Sequence, residues 1–257
     1  MQPKEYLESL FSLEGHVGII TGASRGLGMG IAKVLTDAGA TVYNLDVLPR
    51  SEEQEITGKM VDVKVNLQDR EACREVVDQI ARGEGQLDFL INNAGITHRQ
   101  SADDFNTERY KRIQDINLET LFELSRIAKP YLTKSRYIGR IVSISSMAAY
   151  LGFTNVVPYC MTKSGVVGMT RGLAVEWRNE NILVNSVAPG WFITKLIEQM
   201  YREDPRREEA ALGKIALGRF GCPQDIGHMM LFLLSGASTY ITGQDFAVDG
   251  GALAYGF

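Results

Sequence analysis

The stretch Val17-Gly-Ile-Ile-Thr-Gly-Ala-Ser-Arg-Gly-Leu-Gly28 decides how this chain folds. Its first five residues are a short apolar run, the pattern of a strand buried on both faces of a parallel sheet. Glycines at 22, 26 and 28 follow. Residues 26–38 then read as a helix, with Ile31, Val34 and Leu35 on one side and Gly39 closing it. A strand, a glycine turn and a helix in immediate succession are the opening unit of a βαβ chain.

Outward from that unit the same alternation continues. Residues 41–45, 59–65, 89–92, 140–144, 182–187 and 245–248 carry strand patterns. Residues 69–81, 107–132, 159–178 and 224–234 carry helical ones, the second bent near Pro130. The expectation is an α/β fold: a Rossmann-type, doubly wound parallel sheet flanked by helices on both faces, in a single domain over 1–257. Ligands of such sheets sit beyond the carboxyl ends of the strands. The Gly22 turn, Asp46, Asn92 to Gly95, Ser145 and Ser146, and Pro189 with Gly190 all fall at such ends, so they converge on one crevice.

Composition narrows the function. The 257 residues carry a net charge of -4, with no basic run of the kind that marks a nucleic-acid footprint. Three scattered cysteines suggest a reducing compartment and no disulfide framework, and three dispersed histidines argue against a metal site. The N-terminal stretch lacks a signal-peptide core, and the apolar run from Met229 to Leu234 is too short to span a bilayer. A cytoplasmic protein with a small-molecule substrate, and with no nucleic acid or membrane as partner, is expected.

The glycine turn suits a dinucleotide. Gly22, Gly26 and Gly28 permit a tight turn and close approach of backbone to a pyrophosphate, with Ser24, Arg25 and Leu27 between them. The helix N-terminus adds free N–H groups and a positive dipole end. The spacing is GxxxGxG rather than GxGxxG, so a turn that merely packs a helix on a strand stays open. Asp46 ends the second strand, where a carboxylate would hydrogen-bond ribose hydroxyls and repel a 2′-phosphate. NAD is therefore the expected cofactor. Two observations stand against it: Asp46 would also open a turn, and Arg25 would suit a 2′-phosphate.

Tyr159 and Lys163 lie four residues apart, one turn along a helix, with Ser146 thirteen residues upstream of the tyrosine. An ammonium fixed beside a phenol favours phenolate, so the Tyr159 pKa is expected to fall towards the working pH. A serine hydroxyl at a strand end would hold a carbonyl or hydroxyl oxygen against that phenol. Ser145 competes with Ser146, but strand alternation points the two neighbours oppositely.

Together these segments resemble the short-chain dehydrogenase/reductase superfamily over nearly the whole chain. The glycine turn, Asn92-Asn-Ala-Gly95, Asn117, the Ser146/Tyr159/Lys163 set and Pro189-Gly190 with Thr194 carry the resemblance. It implies Tyr159 as general acid/base, Lys163 lowering its pKa and binding the nicotinamide ribose, and Ser146 orienting the substrate oxygen. It implies that Asn117 bends the long helix and holds a proton-relay water. Asn93, Ala94 and Gly95 would lie along the adenosine side, Pro189 and Gly190 would close on the nicotinamide, and Phe192 main chain and Thr194 would hold its carboxamide. Where the family usually has an aspartate beside adenine, this chain reads Asn66-Leu67-Gln68-Asp69, leaving Asn66 and the Leu67 backbone for that role. The resemblance also implies a homotetramer.

The closer likeness is to sugar-acid dehydrogenases of the gluconate 5-dehydrogenase and 2-dehydro-3-deoxy-D-gluconate 5-dehydrogenase kind. Phe11 to Gly15, Asn92 to Ile96 with His98-Arg99, Ser146-Met147 and Trp191 after Gly190 carry it. A guanidinium at Arg99 would grip a carboxylate through two parallel hydrogen bonds; a solvated loop is the competing reading. Met147, Trp191 and Phe192 are candidate pocket walls or core, and Lys195 is a second anion partner or a surface charge. Residues 193–217 read as a substrate lid. A 3-oxoacyl-carrier-protein reductase, a steroid or secondary-alcohol dehydrogenase, and a dinucleotide-sensing scaffold are the alternatives.

Overall fold

Strand polarity and helix cover are set by the alternation of Ile19 and Ile20. The computed structural model describes residues 2–52, 55–193, 198, 202 and 205–255. Its seven strands form one sheet in the order β3-β2-β1-β4-β5-β6-β7, with every neighbouring pair parallel. They are β1 (Val17–Thr21), β2 (Thr41–Asp46), β3 (Met60–Lys64), β4 (Phe89–Asn92), β5 (Gly139–Ile144), β6 (Ile182–Pro189) and β7 (Asp245–Val248). Ile19 joins one core with Leu90, Ile141 and Val184, under α3 (Arg70–Glu84), α5 (Thr120–Leu132) and α6 (Val157–Glu176). Ile20 joins the other with Val42, Ile91, Val142 and Val187, under α2 (Gly26–Asp37) and α8 (Pro223–Leu234). The two faces thus demand apolar residues at consecutive positions, which is why β1 reads as an unbroken run.

β1 pairs with β2 on one side and β4 on the other, so the strand order reverses there. That reversal opens the crevice at the strands' carboxyl ends. Two helices were not foreseen: α1 (Pro3–Phe11), which buries no residue, and α7 (Pro205–Leu212) within the expected lid. α4 (Thr107–Gln114) and α5 are separated by a π-helical turn at Asp115–Glu119 instead of forming one α-helix bent at Pro130; α5 runs through Pro130 to Leu132. Thr194, Lys195 and most of 194–204 lie outside the described residues.

Candidate active site

The ends of β1 and β4 are laced together by short polar side chains. Thr21 Oγ1 accepts from the Asn93 and Ala94 N–H groups, each at 3.0 Å. Asn93 Nδ2 donates to the carbonyls of Thr21 and Gly22, both at 2.9 Å. Gly22 takes φ 70°, open to glycine at little cost. A Cβ on Gly28 would meet the Gly22 oxygen at 2.4 Å and Asn93 Nδ2 at 2.5 Å, so only glycine lets the helix start this close to the turn.

This lacing frames a cavity of about 450 Å³. It is lined by Gly22, Arg25, Gly26, Leu27 and Gly28 of the glycine turn, by Asp46 and Leu48 at the end of β2, by Asn66 and Leu67 after β3, and by Asn93 to Ile96 after β4. A glycine turn at a helix N-terminus suits a pyrophosphate, and a carboxylate at the end of β2 suits ribose hydroxyls, so the donor set fits a nicotinamide dinucleotide. Asp46 is steadied by the N–H groups of Ser24 (3.3 Å) and Leu48 (3.0 Å). The Ser24 hydroxyl turns inward to the Leu48 carbonyl, away from the cavity. Asp69 caps α3 by accepting from Ala72 N–H.

Sequence reading missed Arg112, Gln68 and Ile116 in this wall. Arg112 stands on α4, and no local pattern marks a helix arginine whose neighbour is set by tertiary packing. Asn44 was missed too. It is buried on β2 and accepts from Ala23 N–H at 2.8 Å, fixing the turn from behind; a polar residue inside an apolar strand was its signal.

The second cluster lies past the ends of β5 and β6. α6 carries Tyr159 and Lys163 one turn apart, as the spacing predicts. Lys163 is 2% exposed, donates to the Ile144 carbonyl at 2.7 Å and lies 5.6 Å from the centre of the Tyr159 ring. Burial pushes its ammonium down to about 8, with Asp245 acting the other way. Burial holds the Tyr159 phenol above its ordinary value, with the neighbouring Ser146 hydroxyl pulling the other way. The expected fall of the tyrosine pKa is therefore reversed in this structure. The ammonium faces the ring and a carbonyl, and desolvation disfavours both charged forms.

Ser146 Oγ accepts from Ala148 N–H at 3.1 Å, starting a 3₁₀ turn at Met147–Ala149. Ser145 points elsewhere, to Asp245. Asn117, fully buried in the π turn, accepts from Ile96 N–H and donates to Ile96 carbonyl, both at 2.8 Å, and reaches Thr162 at 3.4 Å. It ties the strand-end loop of the cavity to α6.

The expected substrate residues divide. Met147 is 4% exposed, and Phe192 is buried in the second core while also lining a smaller cavity with Trp191. Trp191 is half-buried and meets Phe153 edge-to-face at 6.3 Å, a neighbour not foreseen. Arg99 is exposed on its loop. His98 beside it contacts Arg109 and Phe105. Pro189 ends β6 and Gly190 N–H bonds the Val248 carbonyl at 3.0 Å.

A parallel sheet with a dinucleotide-shaped crevice and a Ser–Tyr–Lys cluster at its edge defines an NAD(P)-dependent oxidoreductase. A short-chain dehydrogenase family model, described as enoyl-(acyl carrier protein) reductase, matches residues 22–252. The chain belongs to the short-chain dehydrogenase/reductase superfamily. It is 34% identical over 250 residues to the 2-dehydro-3-deoxy-D-gluconate 5-dehydrogenase of Escherichia coli, covering 96% of this chain and 98% of that one. It is 37% identical over 246 residues to a 3-oxoacyl-[acyl-carrier-protein] reductase of Thermotoga maritima, covering 93% and 98%. A structure from Beutenbergia cavernae, described as an NAD(P)-dependent gluconate 5-dehydrogenase with bound NADP, matches with TM-score 0.88 and 36% identity over 95% of this chain and 99% of that one. Among the described residues no helix is long and apolar enough to cross a membrane.

Proposed function

We propose that this enzyme interconverts a secondary alcohol and a ketone on a sugar acid of the gluconate or deoxy-ketogluconate type, with NAD(H) preferred. The observation that carries the reaction is the placement of the buried Lys163 one turn along α6 from Tyr159, its Nζ 5.6 Å from the ring centre, with Ser146 beside the phenol. Ser146 and the phenol hold the substrate oxygen between them. Tyr159 gives that oxygen its proton in reduction and takes it in oxidation. Lys163 supplies the positive charge that the phenolate requires. The dinucleotide, when bound, supplies or accepts the hydride. Asn117 holds the loop at Ile96 to α6, so the cavity and the proton-transfer pair keep one geometry.

The substrate class rests on likeness to the sugar-acid dehydrogenases and on Arg99, an exposed guanidinium on the loop after β4 that suits a carboxylate. The cofactor preference rests on Asp46, whose carboxylate in the cavity lining disfavours a 2′-phosphate. Arg25 and Arg112 line the same cavity, and NADP is bound in the Beutenbergia structure, so Asp46 must outweigh two cations. A groove of about 550 Å³ between α5 and α6, lined by Leu118, Phe122, Gly165 and Met169, suits burial against a second copy in a homotetramer.

A panel of hexonates, deoxy-ketohexonates and neutral polyols, followed as NADH formation or loss, tests the reading. Turnover is expected on an acidic substrate and to vanish in Tyr159→Phe with NADH binding retained. Equal turnover in that variant, or a preference for neutral polyols, would refute it.

A further inference from the structure

Asp245 belongs to none of the roles above, yet it is the acidic side chain most closely tied to the reacting cluster. It opens β7 at the register of Ser186 on β6, which in turn pairs Ser143 on β5. From there its carboxylate reaches over β6. Oδ1 accepts from Ser145 Oγ at 2.7 Å, and Oδ2 accepts from Tyr150 OH at 2.7 Å. Those two donors bracket the segment that contains Ser146 and the Met147–Ala149 turn.

We propose that Asp245 is a positioning residue of the reaction, which clasps both ends of the Ser146 segment and sets a negative charge in the field of the Lys163 ammonium. The inference rests on the reaction proposed above. The clasp matters because Ser146 stands at the open end of β5, where the ladder no longer holds it. Ser145 N–H still bonds the Val187 carbonyl at 2.8 Å, whereas Tyr150, at the far end of the turn, is 49% exposed, its N–H bonds only back into the turn at the Met147 carbonyl, and its hydroxyl reaches across to Asp245. Burial, and then the Asp245 bond, push the Tyr150 phenol up to about 12, so it stays a donor across the working range.

The charge matters because Lys163 is buried with a carbonyl as its hydrogen-bond acceptor. The groups that bear on this cluster are Tyr159 under the ammonium, Cys160 beside Tyr159, and Tyr150 and Arg171 around the carboxylate. Of these and the described carboxylates, Asp245 alone acts on Lys163 to favour its charged form.

The test uses the full chain labelled with [13Cε]-lysine, its Lys163 resonance identified by its loss in Lys163→Arg. In Asp245→Asn the Lys163 titration midpoint is expected to fall by about 0.5 pH unit or more. Tyr150→Phe keeps the carboxylate and is expected to leave that midpoint in place. Both variants should lower kcat on the substrate found in the panel, by about tenfold for Asp245→Asn, with NADH affinity within about twofold of the parent. A merely structural role would lower stability without moving the midpoint. A Lys163 midpoint unchanged in folded Asp245→Asn overturns the proposal. If that variant does not fold, the Ser145→Ala/Tyr150→Phe double variant decides, and parental kcat in it overturns the clasp. Should the parent turn over nothing in the panel, the proposed reaction falls, while the titration still decides the charge.

Discussion

Lys163→Met should make the protein inactive and, near neutral pH, more stable. Lys163 is 2% exposed, and burial takes its ammonium from 10.5 to about 8. A fall of that size corresponds to about 3 kcal/mol against the folded state wherever the group must be protonated. Methionine keeps the length and drops the charge. It also loses the bond to the Ile144 carbonyl, 2.7 Å long, at a cost of about 1–2 kcal/mol. The net gain at about pH 7 is therefore about 1–2 kcal/mol. Its pH dependence is the sharper test. The folded protein releases this proton near pH 8 and the unfolded chain near 10.5, so between those values the unfolded chain binds more protons. Parental stability rises with pH in that window, and the penalty is full below it. The variant's advantage should shrink by about 2–3 kcal/mol between about pH 7 and about pH 10. Paired urea titrations at fixed protomer concentration would register this as about 1 M in the difference of midpoints. A difference that stays constant across the range would refute the burial argument, since an ordinary lysine titrates above it.

Three further outcomes are expected. Because burial holds the Tyr159 phenol up and Lys163 gives up its charge near pH 8, kcat/KM for alcohol oxidation should climb by about tenfold per pH unit up to about pH 8 and level off above it, since the reaction needs phenolate beside an ammonium; a flat profile from about pH 6 to about pH 8 would contradict this. Gly28→Ala sets a Cβ 2.4 Å from the Gly22 oxygen, so NADH affinity measured by fluorescence should drop by about tenfold or more, with about 1–3 kcal/mol of stability lost to overpacking. Asn155 holds φ 65° while its carbonyl accepts from Gln100 N–H at 2.8 Å; Asn155→Val should lower Tm by about 3–6 °C, and Asn155→Gly should leave it nearly unchanged.

Where a residue's role depends on its own segment, the sequence showed it. The unbroken Val17–Thr21 run required a strand buried on both faces, and Ile19 and Ile20 do divide between two cores. The four-residue spacing of Tyr159 and Lys163 required only one helix turn. Roles created by packing between distant segments were not legible. The π turn at Asp115–Glu119 has no breaker residue to announce it. It accompanies the double hydrogen bond of Asn117 to Ile96, a contact across 21 residues. Arg112 lines the cavity from α4, which packs on α6 rather than on the glycine turn, and Met147 is buried within the 3₁₀ turn that follows Ser146.

The Tyr159 pKa shows the same division at the level of chemistry. Spacing alone puts an ammonium near a phenol, and at fixed dielectric that pair would ionise the tyrosine. The fold changes the dielectric. It buries both groups, turns the ammonium to the Ile144 carbonyl, and sets Ser146 on the phenol. Both neighbours come from the end of β5, outside the helix, and the one carboxylate found to oppose Lys163 desolvation among the described residues, Asp245, lies 82 positions further on. In the reaction proposed above, the resting site would therefore keep the proton on Tyr159, ready for delivery to a ketone oxygen, and oxidation would first have to remove it. Four residues on one helix specify which groups exchange the proton. The tertiary structure specifies which side of the exchange is favoured.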